Sequence, residues 1–143
     1  MFEILHDLHI NSKPSEVYSL ISTPRGLNKW WTKDSEGEAE EGSRYRLYFS
    51  DEYDWAGKVT KCQIEDYIEW EMIDCSDDWK GTLVGFELFP KDDGTEVRFY
   101  HKGWKSQNSE FRGSSYCWAA YLRLLKRYLE HDEFVPYEHR NNA

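Results

Sequence analysis

Residues 2–10 alternate, with Ile4, His6, Leu8 and Ile10 on one side, Glu3, Asp7 and His9 on the other, and Leu5 as the exception. A period of two predicts a strand, and it sends His6 and His9 to opposite faces, so the His-x-x-His spacing does not read as a metal site. Pro14, preset for a first helical turn after a cap at Ser12 or Lys13, opens a helix with Val17, Tyr18, Leu20 and Ile21 at helical spacing. Thr23-Pro24 breaks it and starts a shorter piece carrying Leu27, Trp30 and Trp31. Adjacent helical side chains diverge by about 100°, so one of the two tryptophans is expected to be buried and the other to stand at a rim.

From residue 33 to 104 short alternating segments are separated by polar turns, the signature of a meander. Tyr45, Leu47 and Phe49 share a face, as do Trp55, Gly57 and Val59, and then Ile68, Trp70 and Met72. Val84, Phe86 and Leu88 follow, and Asp92-Asp93-Gly94 turns the chain into Thr95, Val97, Phe99 and His101. The last periodic run, Ser109 to Glu130, spreads its apolar side chains over an arc of about 160°, wider than a surface helix needs. Ser109 is the expected N-cap, and Lys126 and Arg127 suit the negative end. The order is therefore strand, two short helices, about six strands and one long helix, an α+β pattern in which the antiparallel sheet must curl around the helix to bury it. The tail, residues 131–143, is half polar and is expected to fray, although Phe134, Val135 and Tyr137 are able to pack across an opening.

A length of 143 residues fits one domain spanning the whole chain, with its core in residues 2–130. The net charge of -9 and isoelectric point near 5.0 argue against a nucleic-acid or anionic-membrane surface, which needs clustered Lys and Arg. No apolar run approaches a membrane span, and MFEILHDLHI lacks the order of a signal peptide, so a cytoplasmic location is expected. Cys62, Cys75 and Cys117 form no Cys-x-x-Cys pair and read as buried structural thiols, with neither metal nor cofactor implied. Aromatic residues make up 17% of the chain, enough to line a cavity as well as to fill a core.

Several segments together resemble a known family. These are Pro14-Ser15-Glu16-Val17-Tyr18, Leu27-x-x-Trp30-Trp31, Gly57-x-Val59, Ile68-x-Trp70, Gly94-Thr95-x-Val97, His101-x-Gly103-Trp104 and Tyr121-Leu122-x-x-Leu125-Lys126-x-Tyr128-Leu129. In this order they are similar to the START-like, SRPBCC helix-grip superfamily. Within it they resemble the branch named after the activator of the ninety-kilodalton heat-shock chaperone ATPase, alongside polyketide-cyclase-like proteins. The resemblance implies a curved sheet of about seven strands gripping the C-terminal helix, two short helices closing one end, and an apolar cavity between sheet and helix. It also implies a small hydrophobic ligand, lipid-like or aromatic and polyketide-like. In the chaperone activators proper the domain is joined to a separate chaperone-binding domain, for which this chain has no room, so a chaperone partner is the least expected reading.

With the faces set by the alternation, the groups expected to meet the ligand are Tyr45, Phe49, Trp70, Phe86, Phe99 and His101 from the sheet. Ser114, Trp118, Tyr121 and Leu122 join them from the helix. His101, Tyr45, Tyr121 and Ser114 are the polar groups that fix orientation in such a lining. An imidazole there orients a phenol or carbonyl, or shuttles a proton in a cyclase or hydratase. No Ser-His-Asp order or close carboxylate pair accompanies it, so no catalytic residue is assigned. Glu69 and Glu71 flank Trp70 and are expected on a solvated face.

Overall fold

The alternation over residues 2–10 produces the first strand, with Ile4 and Ile10 buried and Glu3, Leu5 and Asp7 facing solvent. The computed structural model describes residues 1–142. Its elements are β1 (Phe2–Ile10), α1 (Pro14–Ser22), α2 (Pro24–Leu27), β2 (Asp34–Glu36), β3 (Arg44–Tyr48), β4 (Asp54–Gln63), β5 (Tyr67–Asp74), β6 (Leu83–Lys91), β7 (Gly94–Trp104), α3 (Ser109–His131) and a terminal 3-10 turn (Tyr137–Asn142). The strands form one antiparallel sheet in the order β1-β7-β6-β5-β4-β3-β2. Register shifts in β1 and β4 help to bend it, since an extra residue on one strand increases local twist. The bent sheet and the long helix make the helix-grip fold.

Pro14 and Pro24 open α1 and α2, as their fixed φ favours. Glu65 and Asp92 take positive φ at the two tight turns predicted near them. α3 presents Ser114, Trp118, Leu122 and Leu125 to the concave face, and Trp118 lies 4.5 Å from Phe99, centroid to centroid. Its cap is Asn108, whose side chain accepts from the Phe111 N–H at 3.0 Å, one residue before the expected Ser109. The Asn108 side-chain carbonyl thereby satisfies one of the free N–H groups of the first turn.

Three further expectations are corrected. Trp30 and Trp31 are both buried, because they follow α2 in a turn, not in a continued helix, and stack with centroids 6.1 Å apart. Glu69 is sheltered on the convex face, where it accepts from Tyr100 Oη and from Thr60 Oγ1 at 2.6 Å. Gly85 makes room for that, since a Cβ there would stand 2.2 Å from the Tyr100 ring. The thiols are not core groups: Cys62 and Cys75 are half-buried and Cys117 is exposed.

Residues 131–142 do not fray, and Ala143 lies outside the described residues. Arg140 is 3% exposed and its guanidinium donates to Val135 O at 3.0 Å, Thr32 O at 3.1 Å and Asn28 O at 2.8 Å. That side chain pins the end of the chain to the loop after α2. Lys33 adds an ion pair to Glu138 at 3.4 Å.

Candidate functional site

A groove of about 410 Å³ opens between the first half of α3 and the β3–β4 hairpin. Its walls come from five parts of the chain. Phe49, Tyr53 and Trp55 arrive on the β3–β4 turn and the start of β4, Trp31 on the loop after α2, and Trp79 on the β5–β6 loop. Ser114, Trp118 and Tyr121 recur at i, i+4 and i+7 on one face of α3, which is why a single helix supplies three of them. Tyr137 comes from the terminal turn that Arg140 anchors.

Five of these rings close a circuit. Trp31 meets Phe49 at 5.6 Å, Phe49 meets Trp55 at 5.6 Å, and Trp55 meets Trp79 at 5.0 Å between centroids. Trp79 stacks on Trp118 at 5.9 Å and 26°, and Trp118 returns to Trp31 at 5.0 Å. Separations of this size suit offset and edge-to-face aromatic pairs, so the collar holds its own shape. Tyr53, Tyr121 and Tyr137 add three more rings, and Glu110 stands among the lining groups as an exposed carboxylate.

Beneath the collar lies His101, fully buried. Trp118 Nε1–H has only a proton to give, so Nδ1 of His101, 3.1 Å away, must accept it. The Nε2–H then donates to Thr82 Oγ1 at 2.8 Å, and Thr82 passes its own proton to Trp79 O at 2.5 Å. Burial holds the imidazole neutral, its pKa pushed down to about 3. Trp79 Nε1 donates in turn to Ser114 Oγ at 3.2 Å. One histidine thereby fixes Trp118 through its side chain and Trp79 through Thr82.

Of the ten residues expected to meet a ligand, Phe49, Ser114, Trp118 and Tyr121 line the groove together. The other six are packed behind it. Tyr45 is fully buried and donates to Ser22 O at 2.5 Å. Trp70 meets Tyr45 at 5.4 Å, and Phe86 meets Phe99 at 5.2 Å. Leu122 and His101 are likewise interior. Trp55, Trp79, Tyr53 and Glu110 were not among the ten: Tyr53 and Trp79 stand on turns that carry no alternation, Glu110 lies in the polar first turn of α3, and Trp55 shares the alternating face of Gly57 and Val59 but was not singled out. The readable signal for Trp79 is its place in Asp77-Asp78-Trp79-Lys80-Gly81, a large apolar ring in a polar turn that only a neighbouring element can cover.

Among the described residues no group of three or more His, Cys, Asp or Glu is placed to hold a metal ion. Nor is any described helix long and apolar enough to cross a membrane.

Comparison with known proteins gives a consistent result. The family described as Activator of Hsp90 ATPase homolog 1-like protein matches residues 11–130. The solution structure of the Aha1 dimer from Colwellia psychrerythraea is 30% identical, with a TM-score of 0.85 over 93% of this chain and 99% of that one. The crystal structure of CalU16 from Micromonospora echinospora is 18% identical, with a TM-score of 0.75 over 99% of this chain and 84% of that one. Protein SSP2350 from Staphylococcus saprophyticus, also 18% identical, superposes with a TM-score of 0.79 over 94% and 96%. These two show the shared fold. No curated protein matches in sequence. The family match over most of the chain, together with the full-length likeness to the Colwellia protein, makes this chain a member of the Activator of Hsp90 ATPase homolog 1-like protein family.

Proposed function

We propose that the protein binds a small hydrophobic molecule, aromatic or lipid-like, in the groove between α3 and the β3–β4 hairpin. The observation that carries this reading is the groove of about 410 Å³ whose wall is the aromatic collar. Ligand sites of this size are concave, mostly apolar and equipped with a few polar groups, here Ser114, Tyr121 and Glu110. The three free thiols fit a reducing compartment such as the cytosol.

A cyclase or hydratase reading needs an acid or base against the substrate. His101 is ill suited, because both its nitrogens are engaged and burial keeps it neutral. The chaperone reading rests on the family's name and on the Colwellia relative.

Gly113 provides the test, since it lines the groove and a Cβ there would meet nothing within 4 Å. Gly113→Leu should fill the space while improving helix propensity by roughly 0.5–1 kcal/mol. The neutral fluorophore N-phenyl-1-naphthylamine should bind the wild-type protein saturably and raise its melting temperature. Gly113→Leu, with an unchanged circular dichroism spectrum, should weaken that binding by at least about tenfold. Equal binding by both proteins, or none by the wild type, overturns the groove as the site.

A further inference from the structure

The collar has a chemistry narrower than apolar. An indole or phenol ring carries a negative face, and a cation placed against it is attracted most strongly by Trp. Four of the five collar rings are Trp, and the fifth is Phe49. Among the described lining residues there is no Lys, Arg or His, and the one charged group is Glu110. The hydroxyls that accompany it, those of Ser109, Ser114, Tyr53, Tyr121 and Tyr137, can all accept a hydrogen bond.

The charge around the groove has the same sign. Tyr53 and Trp55 are delivered by Asp51-Glu52-Tyr53-Asp54-Trp55, and Trp79 by Asp77-Asp78-Trp79. Asp54 is held by Arg46 at 3.0 Å, and Asp78 accepts from Asn108 at 3.0 Å, so part of this charge is engaged. Lys80 and Arg112 lie next along the chain and do not line the groove. Arg140 stands 5.6 Å from the Tyr137 centroid, but its guanidinium is committed to three backbone carbonyls. With a net charge of -9, the field of the whole molecule also favours a positive visitor.

We infer that the occupant of the groove is a small organic cation, an ammonium ion bearing apolar substituents, held against the indole rings that line it, Trp55 the least buried of them, with Glu110 among the lining groups. This inference rests on the groove being the ligand site and names the class of ligand it takes. A neutral hydrocarbon gains the same burial but nothing from the ring faces, so charge is the variable to isolate.

The experiment compares two probes of nearly identical shape, (4-hydroxyphenyl)trimethylammonium and 4-tert-butylphenol, by isothermal titration at a mildly acidic pH where both phenols stay protonated. The cation should bind roughly tenfold more tightly than its carbon isostere, and added salt should weaken only the cation. Trp55→Leu keeps an apolar wall but removes a ring face, and should cut the preference to about threefold or less. Tyr53→Leu, at an exposed position whose loss leaves the core intact, should lower it by a smaller factor. Equal affinity, or tighter binding of 4-tert-butylphenol, overturns the cation inference while leaving the groove as a hydrophobic site. Binding of neither probe overturns both. Competition by phosphatidylcholine vesicles would place the ammonium on a lipid headgroup, and its absence on a free amine; either outcome supports the cation class.

Discussion

His101 illustrates how a residue's position and its role separate. Alternation along β7 turns it inward, and it is fully buried. Its surroundings decide that it serves as a neutral spacer between Trp118 and Thr82. The consequence for stability has a definite sign. Burial lowers its pKa from the ordinary 6.5 to about 3, so below 6.5 the unfolded chain takes a proton that the folded protein refuses. The stabilising contribution is present above that pH and is lost as pH falls from 6.5 toward 3, at up to about 1.4 kcal/mol per unit. His101→Gln should flatten the slope of unfolding free energy between roughly pH 6 and 5, above the carboxylate range. Urea denaturation at a series of pH values measures it, and an unchanged slope would mean that the imidazole titrates in the folded protein. Glu69 was misread for a related reason: period two assigns it to the outer face, but not the Tyr100 ring that crosses Gly85 to cover it.

Among the elements, the terminal turn is the one whose importance its sequence conceals. Residues 131–142 are polar and carry no helical or strand period, so nothing local asks them to order. One long side chain does: Arg140 reaches three carbonyls, two of them more than 100 residues earlier in the chain. Arg140→Ala leaves those oxygens without donors and should lower the free energy of unfolding by about 2–3 kcal/mol. Truncation after Pro136 should cost about as much and also remove Tyr137 from the groove, weakening N-phenyl-1-naphthylamine. Guanidinium denaturation and a fluorescence titration test the two effects; a change of less than about 0.5 kcal/mol in both variants would make the turn an ornament. By contrast, α3 was legible nearly to its ends, because an arc of apolar residues over six turns is a strong signal. β2 was not legible at all, since Asp34-Ser35-Glu36 has no alternation and is a strand only through pairing with β3.

For the whole molecule, the net charge of -9 separates ligands that the groove alone would treat alike. An anionic naphthylamine sulfonate offers the same rings as N-phenyl-1-naphthylamine but meets the protein's negative field. It should bind more weakly, and its affinity should rise with ionic strength while that of the neutral probe stays level. Parallel titrations at low and high salt check this, and a salt-independent sulfonate affinity would show that the field at the groove is weak. The family match covers residues 11–130 and leaves out β1. Yet a family match conveys a sheet and a helix, and the groove is built by the loops between them.

Periodicity alone determined the order of elements apart from β2, the curled antiparallel sheet and the inward faces of β3 to β7, because each depends on side chains a few positions apart. Tertiary structure decided the rest. It brought Trp31, Phe49, Trp55, Trp79 and Trp118 into one collar from separate elements, made His101 a neutral strut, and turned a polar tail into a wall. These outcomes depend on contacts between residues distant in the chain, and no local pattern of apolar and polar positions encodes which distant side chain will arrive.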